Sequence, residues 1–476
     1  MLFCDIEVVE TTLVKLKGPN AKPRSIPLSP VDNCMICTLV PIIMIYEKLD
    51  TTYLLEGLQH TIESYPDFAG ELHCDARGRW TSECTNKGVR FIRAKTTATL
   101  LEPLRNVPNE EDVPNAGIIP INIAGVEQED PKDPETRPLT VQVTEFADGA
   151  VSVGILIHHK VTDATTVFLF FCNWSRACSM LAKGVPIQEI PPALCCHDKS
   201  LLAPRYKVPK FPHPEYAARA PAKGEGIPPP ARFDECLAKM FPFPREVLEN
   251  LKLAFSDPAK GFKATSNDVI VALIVKSVTK ARQLPRNTVV PIGWSADARK
   301  RLPYLPIEYC GNAGFTVALF PTAGEIEDMS FQEMAELISK TTKTRNQEYI
   351  EDTLVWMDSQ EDLTYLSTDL PALNVGIAFS NTGTPDPRLI DFGQGKAPFY
   401  FGFPPVAFDG LCHVFPDNNG GRKALVGLRT EQMSRLAEDP VFRKYCPPTP
   451  LIIRSERYGE SQTLKERHGF ARCFFS

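Results

Sequence analysis

A chain of 476 residues, with 43% hydrophobic and 23% charged positions, has the balance of a globular protein. It is long enough for two cores, since single cores stop growing near ~250–300 residues. Its net charge of −6 is spread over both halves without a clustered basic stripe, which argues against a nucleic-acid binder.

The longest apolar stretch, residues 35–46, is broken by Pro41 and falls short of the ~20 residues a spanning helix needs. The opening MLFCDIEVVE lacks a basic region followed by an apolar run, so no secretory signal is expected. A monomeric cytoplasmic protein without integral membrane association is expected, its 14 cysteines mostly free thiols.

In chain order, residues 33–46, rich in Ile, Val and Thr, predict one or two strands. Residues 51–65 place Leu54, Leu55, Leu58 and Ile62 on one helix face, and Pro66 ends it. Two strands are predicted over 139–146 and 150–157 around an Asp148-Gly149 turn. The second runs into His158 and His159. A helix with one strongly apolar side follows over 164–181, its N-cap supplied by Thr162 or Asp163.

Prolines then crowd residues 204–230, where hydrophobic periodicity fades. This reads as a stiffened crossover linker, set at 199–230, between domains 1–198 and 231–476. The second half predicts helices at 245–255, 266–281 and 331–349, and strands at 289–294 and 424–428. Strands and helices interleave throughout, so the class is α/β, with nothing that demands a purely parallel sheet.

The chemistry centres on His159-Lys160-Val161-Thr162-Asp163. Histidine suits proton transfer because its free pKa lies near ~6.5. An acid one turn on could fix the imidazole or lock the loop through an arginine. His158 reads as structural. Cys34-x-x-Cys37 and Cys195-Cys196-His197 lack a second pair at finger spacing, so no metal is expected, and the latter group reads as packing or surface. Asp391-Phe392-Gly393 is not a kinase loop, because no HRD-type or nucleotide-binding loop precedes it. Gly393-x-Gly395-Lys396 lacks phosphate-loop spacing. The terminal Cys473-Phe474-Phe475-Ser476 has the outline of a prenylation signal with poor aliphatic positions.

Several segments together point to one family. They are HxxxD at 159–163, Asp391-Phe392-Gly393-Gln394-Gly395-Lys396, the early Leu28-Ser29-Pro30-Val31-Asp32, and residues 65–72 (YPDFAGEL). Residues 294–301 (WSADARKR), Tyr309-Cys310-Gly311-Asn312 and Leu428 with Met433 complete the set. In this order the chain resembles the BAHD acyltransferases over most of residues 25–445. The resemblance implies two similar CAT-like α/β domains with mixed sheets, an active-site channel at their interface, and acyl-CoA as co-substrate with no permanently bound cofactor.

It further implies that His159 is the general base for direct transfer in a ternary complex, without an acyl-enzyme. Asp163 would point away from the pocket and pair with an arginine, Arg299 leading. Asp391, Gly393 and Gly395 would form a structural loop away from the histidine. Ser380, Asn381 and Thr382 are the oxyanion candidates. Lys252, Thr265 and Ser266, with Ser380, are the candidates for CoA contact. Three departures stand out: Ala164 for glycine after the motif, and Gln394 and Thr382 where relatives carry tryptophans. They favour the fungal-type branch, acetylating a hydroxyl of a small secondary metabolite. The alternatives are an N-acyltransferase or condensation-type amide-forming enzyme, suggested by His158-His159-x-x-x-Asp163, and an inactive binding protein on the same fold.

Overall fold

The computed structural model describes residues 6–101, 130–133, 135–218, 235–364, 366–368, 375–381, 386–403, 408–417 and 420–448. Thr382, residues 219–230 of the proline-rich stretch, and the C-terminal CFFS lie outside the described residues.

Two six-stranded mixed sheets organise the chain. The first runs Ile6–Val14, Val89–Thr96, Leu139–Glu145, Val151–His158, Leu39–Tyr46 and Tyr400–Gly402. Its pairs are antiparallel except the second with the third. The second sheet runs Cys236–Phe243, Arg422–Arg429, Leu411–Pro416, Ile377–Asn381, Ile292–Asp297 and Gly314–Leu319. There Ile377–Asn381 is parallel to both neighbours. Two sheet-bearing domains of mixed α/β type are thus present.

Val151–His158 is buried at all but one position, as expected of a strand covered on both faces. The helix Ala164–Ala182 closes one side, burying Val167, Phe168, Phe171, Trp174 and Cys178 in the core of the first sheet. In the second half the helix Ser266–Arg282 is buried almost all round, which is why its sequence lacks a polar stripe. A reciprocal cap between Thr265 and Asp268 fixes where it begins.

Two expectations are corrected. Residues 33–46 are not all strand, because Pro30–Cys34 is a short helix and only Leu39–Tyr46 is extended. The cause is local: Ser29 and Asp32 cap each other around a proline at the first helical position. Residues 331–349 are not one helix but parts of two, Phe331–Thr344 and Gln347–Asp358. Asn346 interrupts by capping the second, its side chain accepting from the Tyr349 N–H at 2.9 Å.

The described start of the crossover is strapped down by one carboxylate. Asp352 accepts from the Tyr206 hydroxyl at 2.6 Å, the N–H groups of Lys210 and Phe211 at 2.7 and 2.9 Å, and His213 Nε2 at 2.9 Å. Beyond it, Tyr216–Ala218 pairs with Leu366–Thr368.

Candidate active site

At the end of the strand Val151–His158, the chain enters a single 3₁₀ turn, His159–Val161. It re-extends at Thr162 and starts the long helix with Asp163 as N-cap, whose carboxylate accepts from the Thr166 N–H at 2.9 Å. Ala164 is the first helical residue and is not in the left-handed region, so the glycine of the family pattern is not needed there.

His159 is fixed through its backbone. Its N–H donates to the Thr38 carbonyl at 2.9 Å, and its own carbonyl accepts from Asn312 Nδ2 at 2.8 Å. The imidazole borders a cavity at the seam of the two sheets. Val40, Ile42 and Phe401 line it from the first sheet, Ser380 and Phe415 from the second, and Phe168 from the helix. His159 Nδ1 is buried with no hydrogen-bond partner among the described residues. No carboxylate among the described residues orients this ring, so its position comes from the loop.

That loop is held from the other half of the protein. Asn312 is bound by Asp32 Oδ1, through its N–H at 2.7 Å and its amide nitrogen at 2.9 Å. Asp32 is wholly buried, and its second oxygen accepts from the Ser29 hydroxyl at 2.8 Å and Lys199 Nζ at 3.0 Å. Burial alone would push the Lys199 ammonium down, but the Asp32 carboxylate more than offsets it and holds the group above its ordinary value. The motifs at 28–32 and 309–312 are therefore two ends of one polar chain that terminates on the histidine backbone.

Gly311 sits where that chain is tightest. Its φ is +131°, and a β-carbon there would strike Lys199 Nζ and press on Asp32. Gly311→Ala is expected to lose about 1–3 kcal/mol of stability and to shift Asn312. A thermal melt unchanged from the parent protein would contradict this.

Asp163 borders the cavity, but both of its oxygens are engaged. Oδ2 receives Arg299 Nη1 at 2.8 Å and the Ala313 N–H at 2.9 Å, and Oδ1 receives Arg299 Nη2 at 3.2 Å. Burial would raise this carboxyl, yet the Arg299 guanidinium and the two N–H groups hold it below the usual carboxylate range. The fully buried guanidinium also donates to the carbonyls of Tyr309 and Gly311, at 2.8 and 3.1 Å, and to Asp297.

His158 spends both ring nitrogens. Nε2 donates to the Pro131 carbonyl at 2.9 Å, and Nδ1 accepts from the Lys160 N–H at 3.1 Å. Burial lowers its pKa to about 4, so it is neutral at pH 7. Lys160 turns inward, donating to the Asn33 carbonyl at 2.7 Å beneath the Trp80 ring.

The loop 391–396 lies behind the helix Ala164–Ala182 and is absent from the cavity wall. Phe392 takes a φ of +47° and stacks edge-on against Trp174 at 5.0 Å, while its N–H donates to Ser175 Oγ at 2.8 Å. Gly393, at φ +84°, passes so close to Ser179 that a side chain there would collide with the helix. The Gly393 N–H returns to Asp391 Oδ1 at 2.9 Å, and Gly395 is also left-handed. Gln394 occupies the tryptophan position by bonding both backbone groups of Asp50, at 2.8 and 3.0 Å.

Of the oxyanion candidates, Ser380 lines the cavity, and Asn381 follows it at the strand end with its amide on Asn267 Oδ1 at 3.0 Å. Thr382 is outside the described residues. Lys252, Thr265 and Ser266 do not line the cavity. Lys252 pairs with Glu249 at 2.6 Å, the Thr265 hydroxyl is taken up by Asp268 at 2.8 Å, and Ser266 opens the helix beside Asn267. Sequence reading gave no role to Phe401, Phe403 or Phe415, which line the cavity; Phe401 reaches it through a strand that pairs with the first sheet. It also passed over His413, which lies opposite Ser380 and packs on Phe403 at 4.6 Å.

Comparison with known proteins bears on this arrangement. Residues 4–442 match the model of the Transferase family. A hydroxycinnamoyltransferase of Narcissus pseudonarcissus is 28% identical over 450 residues, spanning 90% of this chain and 97% of the relative. Anthranilate N-benzoyltransferase protein 3 of Dianthus caryophyllus is 26% identical over 381 residues, 78% of this chain and 80% of the relative. Vinorine synthase shares the fold with a TM-score of 0.69 at 18% identity, covering 94% of this chain and 99% of the other. So does F. sporotrichioides TRI101 complexed with coenzyme A and T-2, with a TM-score of 0.72 at 18% identity over 89% of this chain and 99% of the other. With a family match running almost end to end, the chain belongs to the Transferase family, the BAHD group, and is an acyltransferase.

Proposed function

We propose that the protein transfers an acyl group from acyl-CoA, with acetyl-CoA as donor, to a hydroxyl of a small metabolite, with His159 as general base. The observation that carries this reading is an imidazole bordering a cavity between the two sheets, with a ring nitrogen left unpaired among the described residues. A solvated surface histidine or a satisfied core histidine would not look like this.

In the transfer, the acceptor oxygen attacks the thioester carbon as His159 takes its proton, worth about 10²–10⁴ in rate. The tetrahedral oxyanion is stabilised by Ser380, Asn381 or Thr382, each donor worth about 3–4 kcal/mol. Its collapse expels the CoA thiolate, which receives the proton from His159. The Asp163–Arg299 pair holds the loop and takes no proton. The working unit in this reading is the pair of domains 1–198 and 231–476 with the crossover 199–230 between them, a cytoplasmic monomer. The described cysteines, all free thiols, suit a reducing compartment.

Purified protein given acetyl-CoA and a panel of alcohols should release free thiol only when an acceptor is present, with intersecting initial-rate lines. Parallel lines would point to an acyl-enzyme and defeat direct transfer. Thiol release with amines alone would move the reading to N-acylation, the chemistry named for the Dianthus relative. Inertness across donors and acceptors would leave a binding protein.

A second donor reading has an observation of its own. Phe168, Phe401, Phe403 and Phe415 make much of the cavity wall aromatic, a surface that suits a flat aryl-acyl group better than acetyl. Comparing kcat/KM for acetyl-CoA and an aromatic acyl-CoA decides between them.

A further inference from the structure

Cys195, His197 and Cys310 converge away from the cavity, and acyl transfer uses none of them. Their ligand atoms all lie within 4.8 Å of one another. A short parallel bridge brings them together: the Cys196 N–H donates to the Glu308 carbonyl at 2.9 Å, and the Cys310 N–H to the Cys196 carbonyl at 2.8 Å. Side chains alternate across such a bridge, which turns 195, 197 and 310 to one side.

The imidazole of His197 has an acceptor at each nitrogen: Asp67 Oδ2 at 3.1 Å from Nδ1 and the Ser64 carbonyl at 2.9 Å from Nε2. Both nitrogens therefore carry hydrogen, and the ring is an imidazolium. Burial opposes that charge, but the buried Asp67 carboxylate overrides it and raises His197 to about 10. Tyr65 and Lys199 are the other titratable groups facing the cluster. The hydrogen bond from Cys310, helped by His197 and Tyr65, lowers the Cys195 thiol against its burial, while Cys310 is raised. A metal would have to take His197 from the Ser64 carbonyl or from Asp67, so the arrangement favours paired sulfurs over a metal centre.

We propose that Cys195 and Cys310 form a redox-active dithiol, with Cys195 the attacking thiolate and Cys310 the resolving thiol, closed to a disulfide by hydrogen peroxide. The Cys195 thiolate attacks one peroxide oxygen; an S–O bond forms, the O–O bond breaks, and the leaving hydroxide takes up the proton that the Cys195 thiol had released and becomes water. The Cys310 sulfur then attacks the sulfenic sulfur of Cys195. An S–S bond forms, the S–O bond breaks, and the departing hydroxide takes the Cys310 proton as a second water. Two thiols are oxidised and one peroxide is reduced. Because Cys310 adjoins Gly311-Asn312, drawing its sulfur in to about 2 Å from Cys195 disturbs the support of the His159 loop. That effect on transfer rests on the proposed function; the dithiol chemistry does not.

The reduced full-length protein is treated with peroxide, alkylated, digested and analysed by mass spectrometry. A peptide pair linked through 195 and 310 is expected in the parent, reversed by dithiothreitol and absent in Cys195→Ser. In Cys310→Ser, dimedone should label Cys195. In the reduced parent at pH 7, Cys195 should be alkylated roughly tenfold faster than buried Cys178. Oxidation elsewhere with no 195–310 link, or dimedone absent from Cys195, overturns the proposal. So does stoichiometric zinc that blocks oxidation. Transfer activity should fall as the link forms and return on reduction, and Cys195→Ser should be active and peroxide-resistant. A link that forms while transfer holds steady would leave the dithiol standing and defeat its coupling to catalysis.

Discussion

His159→Ala is expected to cut acyl-CoA-dependent thiol release by about 10²–10⁴-fold with little change in melting temperature. Both halves of that statement follow from the site. The ring borders the cavity, and among the described residues Nδ1 has no hydrogen-bond partner to lose. What holds the loop is the main chain of residue 159, bonded to Thr38 and Asn312, and alanine keeps that main chain. The loss should therefore fall on kcat, with KM for acyl-CoA nearly unchanged, because the imidazole acts on the acceptor proton in the transition state. His159→Gln, closer in size, should be as slow. A variant that kept the parent rate would remove the general base from the mechanism.

The second large effect is on stability. Arg299→Ala is expected to cost about 3–5 kcal/mol, because it leaves the Asp163 carboxylate without its cation and strips a donor from the carbonyls of Tyr309 and Gly311. Asp163→Asn should be similarly destabilised but retain far more transfer than His159→Ala when assayed cold, since the pair supports the loop without moving a proton. The pH dependence has a definite sign. A carboxyl held below its ordinary value stabilises the fold above that value, near ~3.9, and loses the contribution as pH falls through the lowered one. Urea melts of the parent and Asp163→Asn should thus differ fully at pH 7 and converge in strong acid. A gap that widened as the pH dropped would contradict the assignment.

Elements with strong local signals were legible in the sequence. The helix at 245–255 matches its predicted bounds, and that at 266–281, which opens on the Thr265–Asp268 cap, ends one residue later. The strand leading into His159 is displaced by one residue, and that into Trp294 runs Ile292–Asp297 because Pro291 precedes it. Misreadings arose where a short polar motif outranked a long pattern, as at Ser29-Pro30-Val31-Asp32 and at Asn346. The site shows the same division. His159 and Asp163 could be named through the family resemblance that HxxxD carries together with the 391–396 loop, whereas the bond from Asn312 to the carbonyl of His159 joins residues far apart in the chain. Phe401 faces the cavity only because its strand crosses to the other sheet, which no local pattern announces.

That crossing strand also governs when the protein can become competent. Tyr400–Gly402 pairs with the residues around Met44, so the first sheet gains its sixth member only after residues 400–402 have left the ribosome, more than 350 positions behind their partner strand. Until then the nascent N-terminal region carries an open β-edge beside a half-built pocket, a surface prone to pairing with the wrong chain. Competence for binding substrate thus waits on this distant strand, and a product truncated before it would be sticky before it was merely inactive.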